Sequence, residues 1–512
     1  MATAILSNTP TVISECESET DWSADRALSL DTELFKVGSG AIAATMHDTI
    51  DDVWYEPSAT NDLSATNTVF RCWLFCVVIG QMENDAYPGI LLRLGDGINT
   101  AFWNITGSDT YQGGWLMLQV DVSLTPDSGT APNFANINEY GVKINLDQNV
   151  RNNNNTWVDK LHFTNSGYTV YGGTSGDKIN MSSIALADET AGWGIIQEFN
   201  GVYFATSPFE IGDSSNTTYF EWDGETIMFV DNRVSTTFYE VSAIGANTSI
   251  VMNNGSIGTD GQEYKFDISD VGSCSLSGLA INNAHTVLFK SGQTHSGLIL
   301  TECGNTGNID TNGASLSNTK FINQKGQFLV NSSTEAGACS NLQFDGYENN
   351  SEYAIYVPAS VTSFTMSNWQ FTDPDNTTNY ALYWAGTSGT LTILSTAGTN
   401  LVTAGCTAAS GGTVVVSASF DHTIEGLELN TEVTYVTKDT ATVLYHVEQA
   451  TTSDGNGKYK ITYTHSGGAS VDILIQHIQY QPDISNIYGL TLPSTDATVK
   501  VQMFYDDNYL NP

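Results

Sequence analysis

Apolar and polar positions alternate along most of this 512-residue chain, and between residues 277 and 371 the alternation becomes a refrain. Ser277-Gly278-Leu279-Ala280-Ile281 returns as Ser296-Gly297-Leu298-Ile299-Leu300 and Ser317-Asn318-Thr319-Lys320-Phe321, then as Ser340-Asn341-Leu342-Gln343-Phe344 and Ser367-Asn368-Trp369-Gln370-Phe371. The starts lie 19, 21, 23 and 27 residues apart. A small polar pair followed by a large apolar residue, at a period near twenty, predicts a coiled solenoid. The phrases lack the i, i+3, i+4 spacing of an amphipathic helix. They therefore predict one strand per coil, with Ile281, Leu300, Phe321, Phe344 and Phe371 stacked inward at the ~4.8 Å spacing of paired strands. Second apolar runs at Thr286–Phe289, Gln327–Val330, Tyr353–Val357 and Tyr380–Trp384 supply another strand per coil, and Thr390–Leu394 a third. Gly, Asn, Asp and Ser fill the corners, where sharp bends need positive φ or a local side-chain hydrogen bond.

Upstream the pattern differs. Val69 to Ile79 is nearly all apolar, as a strand covered on both faces would be. Gly89–Leu94 and Thr100–Ile105 flank Gly95-Asp96-Gly97, a hairpin signal. In Trp115–Val122 the residues Leu116, Leu118, Val120 and Val122 share one face. The tract Asn152 to Asn155 reads as a loop. Residues 176 to about 245 hold short, irregular strands that suit imperfect first coils capping the solenoid. After Gly411-Gly412, about six strands follow at sandwich-like spacing, beginning with Thr413–Val416. The fold class is thus all-β: an N-terminal antiparallel sandwich (1–175), a central parallel β-helix (176–411) and a small C-terminal β-sandwich (412–512).

Composition narrows the function. The 56 acidic against 17 basic side chains give a net charge of -39, which argues against nucleic-acid binding and against docking on an anionic membrane. The first residues lack the basic-then-apolar pattern of a secretory leader, and Cys72 to Ile79 is too short to span a bilayer. Seven cysteines form no CxxC pair and read as buried free thiols. Eight histidines show no zinc-binding spacing. Asn308 to Gly313 begins like a calcium loop but has Thr319 where the closing Glu belongs. No cofactor or metal is expected.

Two kinds of glycan chemistry remain. Glu302, Asp345 and Asp373 follow the apolar anchors of their coils by one or two positions and could project from one surface, as a glycan-cleaving acid and base would. With 56 acidic residues such alignments arise by chance, so the solvated acidic face is preferred and no catalytic residue is assigned. Trp103, Trp115, Trp369, Tyr383 and Trp384 could stack on sugar, but each sits in an apolar run that suits a core.

Cys16-Glu17-Ser18 with Asp21-Trp22, then Gly38-Ser39-Gly40, Gly95-Asp96-Gly97, Gly113-Gly114-Trp115 and Val120-Asp121-Val122, resemble concanavalin A-like jelly-roll domains. In particular they are similar to the version found in virion structural proteins of tailed, often marine, bacteriophages, where a β-helix and a small terminal β domain follow. The tail Tyr505 to Pro512 resembles the closing segment of those proteins. The metal cluster of legume lectins has no match, so sugar binding does not carry over with the fold. The resemblance implies a structural virion protein made in the host cytoplasm: a fibre, spike or collar appendage, or a capsid-decoration protein with a host-glycan adhesion role. It implies a homotrimer that meets capsid, portal, collar or tail proteins and host-surface polysaccharide. The alternative is a glycan-cleaving tail spike, a β-helix depolymerase.

Overall fold

The computed structural model describes residues 2–505 except 47–49, 66–67, 77–88, 106–113, 146–153, 165–166, 231–238, 259–261, 306, 350–352, 397, 419, 439, 466–469, 478 and 493–496. The fold is all-β. The chain divides into two compact units, Met1–Ala314 with Gln324–Gly326, and Ser315–Asn323 with Gln327–Pro512.

The first unit opens with two six-stranded antiparallel sheets packed face to face. One holds Val69–Cys76 between Trp115–Asp121 and Asn154–Thr164, with Ala41–Met46 and Leu28–Asp31 beyond. The other runs Ser128–Gly129, Thr100–Asn104, Gly89–Gly95, Glu139–Asn145, Ile50–Tyr55, Trp22–Ala24. Their inner faces meet in a core that includes Phe70, Cys72, Leu74, Leu92, Trp103, Leu118, Val142 and Val158. Val69 to Leu74 is covered on both faces, as expected, and residues 77–79 of the same apolar run lie outside the described set. Phe70, Cys72 and Leu74 enter this core, while Arg71 and Trp73 are buried on the opposite side. Asn154 and Asn155, expected in a loop, begin a strand paired to Met46 and Thr45; residues 152 and 153 lie outside the described set.

The solenoid begins earlier than the predicted boundary. Tyr168–Gly172 pairs in parallel with Phe209–Ile211, which pairs with Tyr239–Asn253, then Tyr264–Ser277 and Ala284–Leu288. A second sheet stacks Val202–Ala205, Thr226–Phe229, Ser256–Ile257, Ala280–Asn282 and Ile299–Thr301, again in parallel. Ile281 is in register with Leu300. The irregular opening coils carry an element that strand periodicity did not reveal, helix α1 (Met181–Ala191). Asn180 caps it through the Ser183 N–H, Ser183 returns the bond, and Gly192 ends it at φ +70°.

The second unit continues the same pattern. Lys320–Ile322, Gln343–Asp345 and Gln370–Phe371 stack in parallel, as do Phe328–Leu329, Ile355–Val357, Leu382–Trp384 and Cys406–Ala408. The third strand, Thr390–Ser395, lies between Ser363–Met366 and Thr413–Ala418. This corrects the boundary at 412: Thr413–Val416 belongs to the solenoid's third sheet, because its apolar residues align with Leu391 and Ile393 of the preceding coil. Beyond it, two four-stranded sheets enclose a core that includes Ile424, Val433, Tyr435, Ile461 and Ile473.

All five anchors are at most 3% exposed. The third residue of each phrase (Leu279, Leu298, Thr319, Leu342, Trp369) is buried as well. Positions three and five therefore point inward and position four points out, the period of a strand. The second residue turns the corner: Gly278 and Gly297 have φ of +65° and +67°, and Asn318, Asn341 and Asn368 lie between +51° and +56°. Only Gly and Asn enter this left-handed region at little cost, and that explains the Ser-Gly/Asn signature.

Candidate functional site

The three acidic residues singled out in the sequence occupy two different kinds of place. Glu302 stands at a corner, with φ +54°, in the role that Asn283 fills one coil earlier at +59°. Its carboxylate lies 2.8 Å from Lys325 Nζ, which also donates to Asn283 Oδ1 at 3.0 Å. Asp345 stands on a strand after Phe344, 3.2 Å from Lys320 Nζ, and accepts from Thr372 Oγ1 at 3.0 Å. Asp373 lies at the next corner. Desolvation first, and then the neighbouring Asp375 carboxyl, hold its carboxyl above the usual range. Glu302 and Asp345 are thus tied to lysines within their own units, whereas Asp373 and Asp375 are neighbouring carboxyls whose like charges repel.

Among the aromatic candidates, Trp103, Trp369 and Trp384 are core residues, each at most 1% exposed. Their indole N–H groups donate to the carbonyls of Leu124, Cys339 and Val361. Trp115 is half-buried against Phe75, with ring centroids 5.7 Å apart. Tyr383 differs. It is half-buried and outward between the inward Leu382 and Trp384, with Tyr353 at 4.8 Å and Tyr356 at 5.8 Å in stacked geometry. These rings spend faces on one another along the coils, as the inward pairs Phe321–Phe344 (4.7 Å, 4°) and Phe344–Phe371 (5.0 Å, 7°) do.

A third surface was not singled out from the sequence. The sandwich sheet containing Glu139–Asn145 carries one in-register row across its outer face: Ser23, Trp54, Gly141, Arg93, Phe102, Ser128. Arg93 lies over the Trp54 ring, its guanidinium carbon 4.2 Å from the centroid, and Lys143 Nζ lies 4.2 Å from the centroid of Phe102. Arg93 donates to Asp52 at 2.7 Å and to Glu139 at 2.8 Å, and Lys143 reaches Asp52 at 3.7 Å. Desolvation raises the Asp52 carboxyl, and the two cations oppose that rise. The alternation that places Asp52 with Trp54, and Leu91 with Arg93, is readable in the sequence. Of the strand neighbours, only the hairpin that carries Arg93 and Phe102 is.

The outer face of the other sandwich sheet is buried instead. Arg71 donates to Thr206 O at 2.9 Å and to Gln119 Oε1 at 3.1 Å, Trp73 to Gly192 O at 3.0 Å, and Lys160 to Ala191 O at 2.6 Å. This joint between sandwich and first coils holds several titratable groups. Burial raises Asp188 to about 7 and Asp159 to about 6, and lowers His162 to about 3.

Among the described residues no three His, Cys, Asp or Glu side chains gather as a metal site would require. Asn308 to Gly313 is a short strand and the corner after it: Ile309–Asp310 pair with Val287–Leu288, Asp310 accepts from the Asn312 N–H at 2.8 Å, and Asn312 and Gly313 have positive φ. Cys16, Cys72, Cys274, Cys303 and Cys339 are buried free thiols, and burial raises each of them; Cys406 is half-buried. No described helix is long and apolar enough to cross a membrane.

No protein-family model matches the chain, and no curated protein does. Among solved structures, the catalytic domain of a GH87 α-1,3-glucanase aligns over 82% of this chain and 86% of its own, at 12% identity and a TM-score of 0.23. The agarase AgWH50C aligns over 30% of this chain at 11% identity and a TM-score of 0.23, and the matched part spans 26% of the agarase. The CBM22-1 xylan-binding domain of Xyn10C from Paenibacillus barcinonensis is covered to 96% by 32% of this chain, at 8% identity and a TM-score of 0.20. At scores this far below 0.5 the likenesses say nothing about what this chain binds or does.

Proposed function

We propose that this chain is a structural virion protein of a tailed phage, an appendage or capsid-decoration protein whose β-helix forms a stiff body and whose role includes adhesion to host glycan. One observation carries the structural half of this reading: outward polar side chains of the solenoid are spent on holding coil to coil. Asn341 donates to Asn318 at 3.0 Å, Asn368 donates to Asn341 at 2.8 Å, and Asp345 accepts from Thr372 of the next coil. The virion assignment rests on the resemblance in motif order, and the homotrimer comes with it. Mass spectrometry of purified particles, with labelled antibody to locate the chain, tests this. Absence from particles rejects the reading, and a monomeric mass at micromolar concentration rejects the trimer.

Glycan cleavage is the second reading, and the neighbouring carboxyls Asp373 and Asp375 are its candidate pair. Two carboxyls flanking the bond are what acid–base chemistry on a glycosidic bond uses. The expectation under the structural reading is that host polysaccharide keeps its length in the presence of the protein. Shortening by the wild type, abolished in a Glu302→Gln, Asp345→Asn, Asp373→Asn triple variant, would establish cleavage instead.

A further inference from the structure

We infer that Lys325 and Asn283 become joined by an intramolecular isopeptide bond, with Glu302 carrying the protons. The bond staples three successive coils of the solenoid. It adds a covalent self-modification to the structural reading and does not depend on it. All three residues belong to the first unit. Lys325 Nζ donates to Asn283 Oδ1 at 3.0 Å and lies 2.8 Å from Glu302 Oε2. An amine, a carboxamide and a carboxylate within reach of one another are all the groups that this bond needs.

The fold gathers them from three coils. Asn283 and Glu302 occupy the same corner one coil apart, at φ +59° and +54°, and the Asn283 N–H donates to Thr301 O at 2.8 Å. Lys325 follows one coil later, where its N–H donates to Cys303 O at 2.9 Å. Beside it the backbones touch: a Cβ on Gly326 would come within 2.0 Å of Gly304 O. From there the Lys325 side chain reaches back past Glu302 to Asn283, which is 6% exposed. Reactants held on such a ladder have already lost the freedom that a bimolecular reaction must give up. With a C=O bond of about 1.23 Å, Nζ lies no more than about 4.2 Å from Asn283 Cγ. A small swing of the lysine brings it to the roughly 3–3.5 Å of a near-attack arrangement.

The chemistry balances without any further reagent. Glu302 takes a proton from the Lys325 ammonium and leaves a free amine. The amine nitrogen attacks Asn283 Cγ, forming the Nζ–Cγ bond, and the Cγ–Nδ2 bond breaks. Glu302 gives its proton to the departing Nδ2, then takes the second proton from Nζ and passes it to the ammonia. The products are a secondary amide between the two side chains and one ammonium ion. Nothing is oxidised or reduced, and Glu302 ends as the carboxylate it was. Solvent sets the pace. Lys325 and Glu302 are 30% and 40% exposed, so ammonia has an exit, but water favours the charged pair over the neutral pair that reacts. Conversion is therefore slow and accumulates after folding.

Intact-mass spectrometry of the full-length protein tests the bond, on fresh material and after prolonged incubation at pH 9, where more of any lysine is free amine. A species lighter by one ammonia is expected to grow with time, and tryptic digestion should release a branched peptide joining Asn283 to Lys325. Lys325→Arg keeps a cation opposite Glu302 but offers no amine of this kind, and should abolish the branched peptide. Glu302→Gln should slow conversion at least about tenfold. Circular dichroism matching the wild type verifies that each variant folds, and the wild-type mass is decisive without them. A mass that stays at the sequence value overturns the bond. Ammonia loss without a branched peptide, persisting in Lys325→Arg, overturns it as well, because cyclisation at an Asn-Gly step such as Asn254-Gly255 or Asn312-Gly313 sheds the same mass. Conversion of Glu302→Gln at the wild-type rate overturns the role given to Glu302.

Discussion

The two units solve the same corner differently. In the first, the phrase turns at Gly278 and Gly297; in the second it turns at Asn318, Asn341 and Asn368. The backbone does the same thing in both. Gly278 donates to Ser296 O at 2.9 Å, and Asn341 donates to Ser367 O at 2.9 Å. The asparagines add a side-chain ladder from coil to coil that glycine cannot make. Behind them the anchors change from aliphatic Ile281 and Leu300 to the stacked rings of Phe321, Phe344 and Phe371. The conformation is thus the fixed requirement, and the side chain is an optional reinforcement whose value depends on the same choice one coil away.

The largest way to break this comparison is Phe344→Ala. It removes the middle ring of the stack from a site with no exposure, and about 3–5 kcal/mol of stability should be lost in urea unfolding. Leu300→Ala in the first unit should cost about 2–5 kcal/mol, without the ring-stacking share. Equal losses below 1 kcal/mol would show that the coils do not pack as described.

Next comes pH, which separates the first unit through its joint. The folded-state pKa of Asp188 is raised to about 7 from an ordinary value of 3.8. Between those values the folded protein binds the proton and the unfolded chain does not, so this group's contribution to stability falls as pH rises from about 4 to 7. His162, buried neutral, works in the opposite sense below its ordinary value of 6.5. The comparison with Asp188→Asn removes that background. The variant should match the wild type near pH 5 and exceed it at pH 8, read as slower amide exchange in Met181–Ala191. A difference of the reverse sign would mean that the charged carboxylate is the stabilising form.

Smaller again are changes at the corner itself. Asn341→Ala should cost up to ~1–2 kcal/mol for alanine in the left-handed region, which asparagine tolerates better, plus its share of the ladder. Asn341→Gly keeps the conformation and should lose only the ladder, ~0.5–1.5 kcal/mol. If Gly costs as much as Ala, positive φ is not what selects the residue. The smallest effect belongs to Gly297→Asn. It fits the backbone at φ +67° and finds a glycine at the neighbouring corner, so melting should shift by no more than ~0.5 kcal/mol allows.

Much of this architecture is determined by the sequence alone. A refrain of fixed length with inward residues at its third and fifth places admits one strand geometry, because side chains alternate with a period of two. The Gly or Asn at its second place marks the left-handed corner, because other residues pay a steric penalty there. Those are local rules, and they located the anchors, the corners and the buried tryptophans. They could not locate α1, where two capping residues and a glycine decide the matter over a short, weakly amphipathic stretch. They also could not separate Glu302, a corner residue held by Lys325, from Asp345, a strand residue held by Lys320. Only tertiary structure decides such partners, because strand order is set by which faces close over a common core. The row Trp54–Gly141–Arg93–Phe102 draws on four strands, of which only those of Arg93 and Phe102 are consecutive in the chain. Each is an unremarkable outward position until the sheet brings them into register.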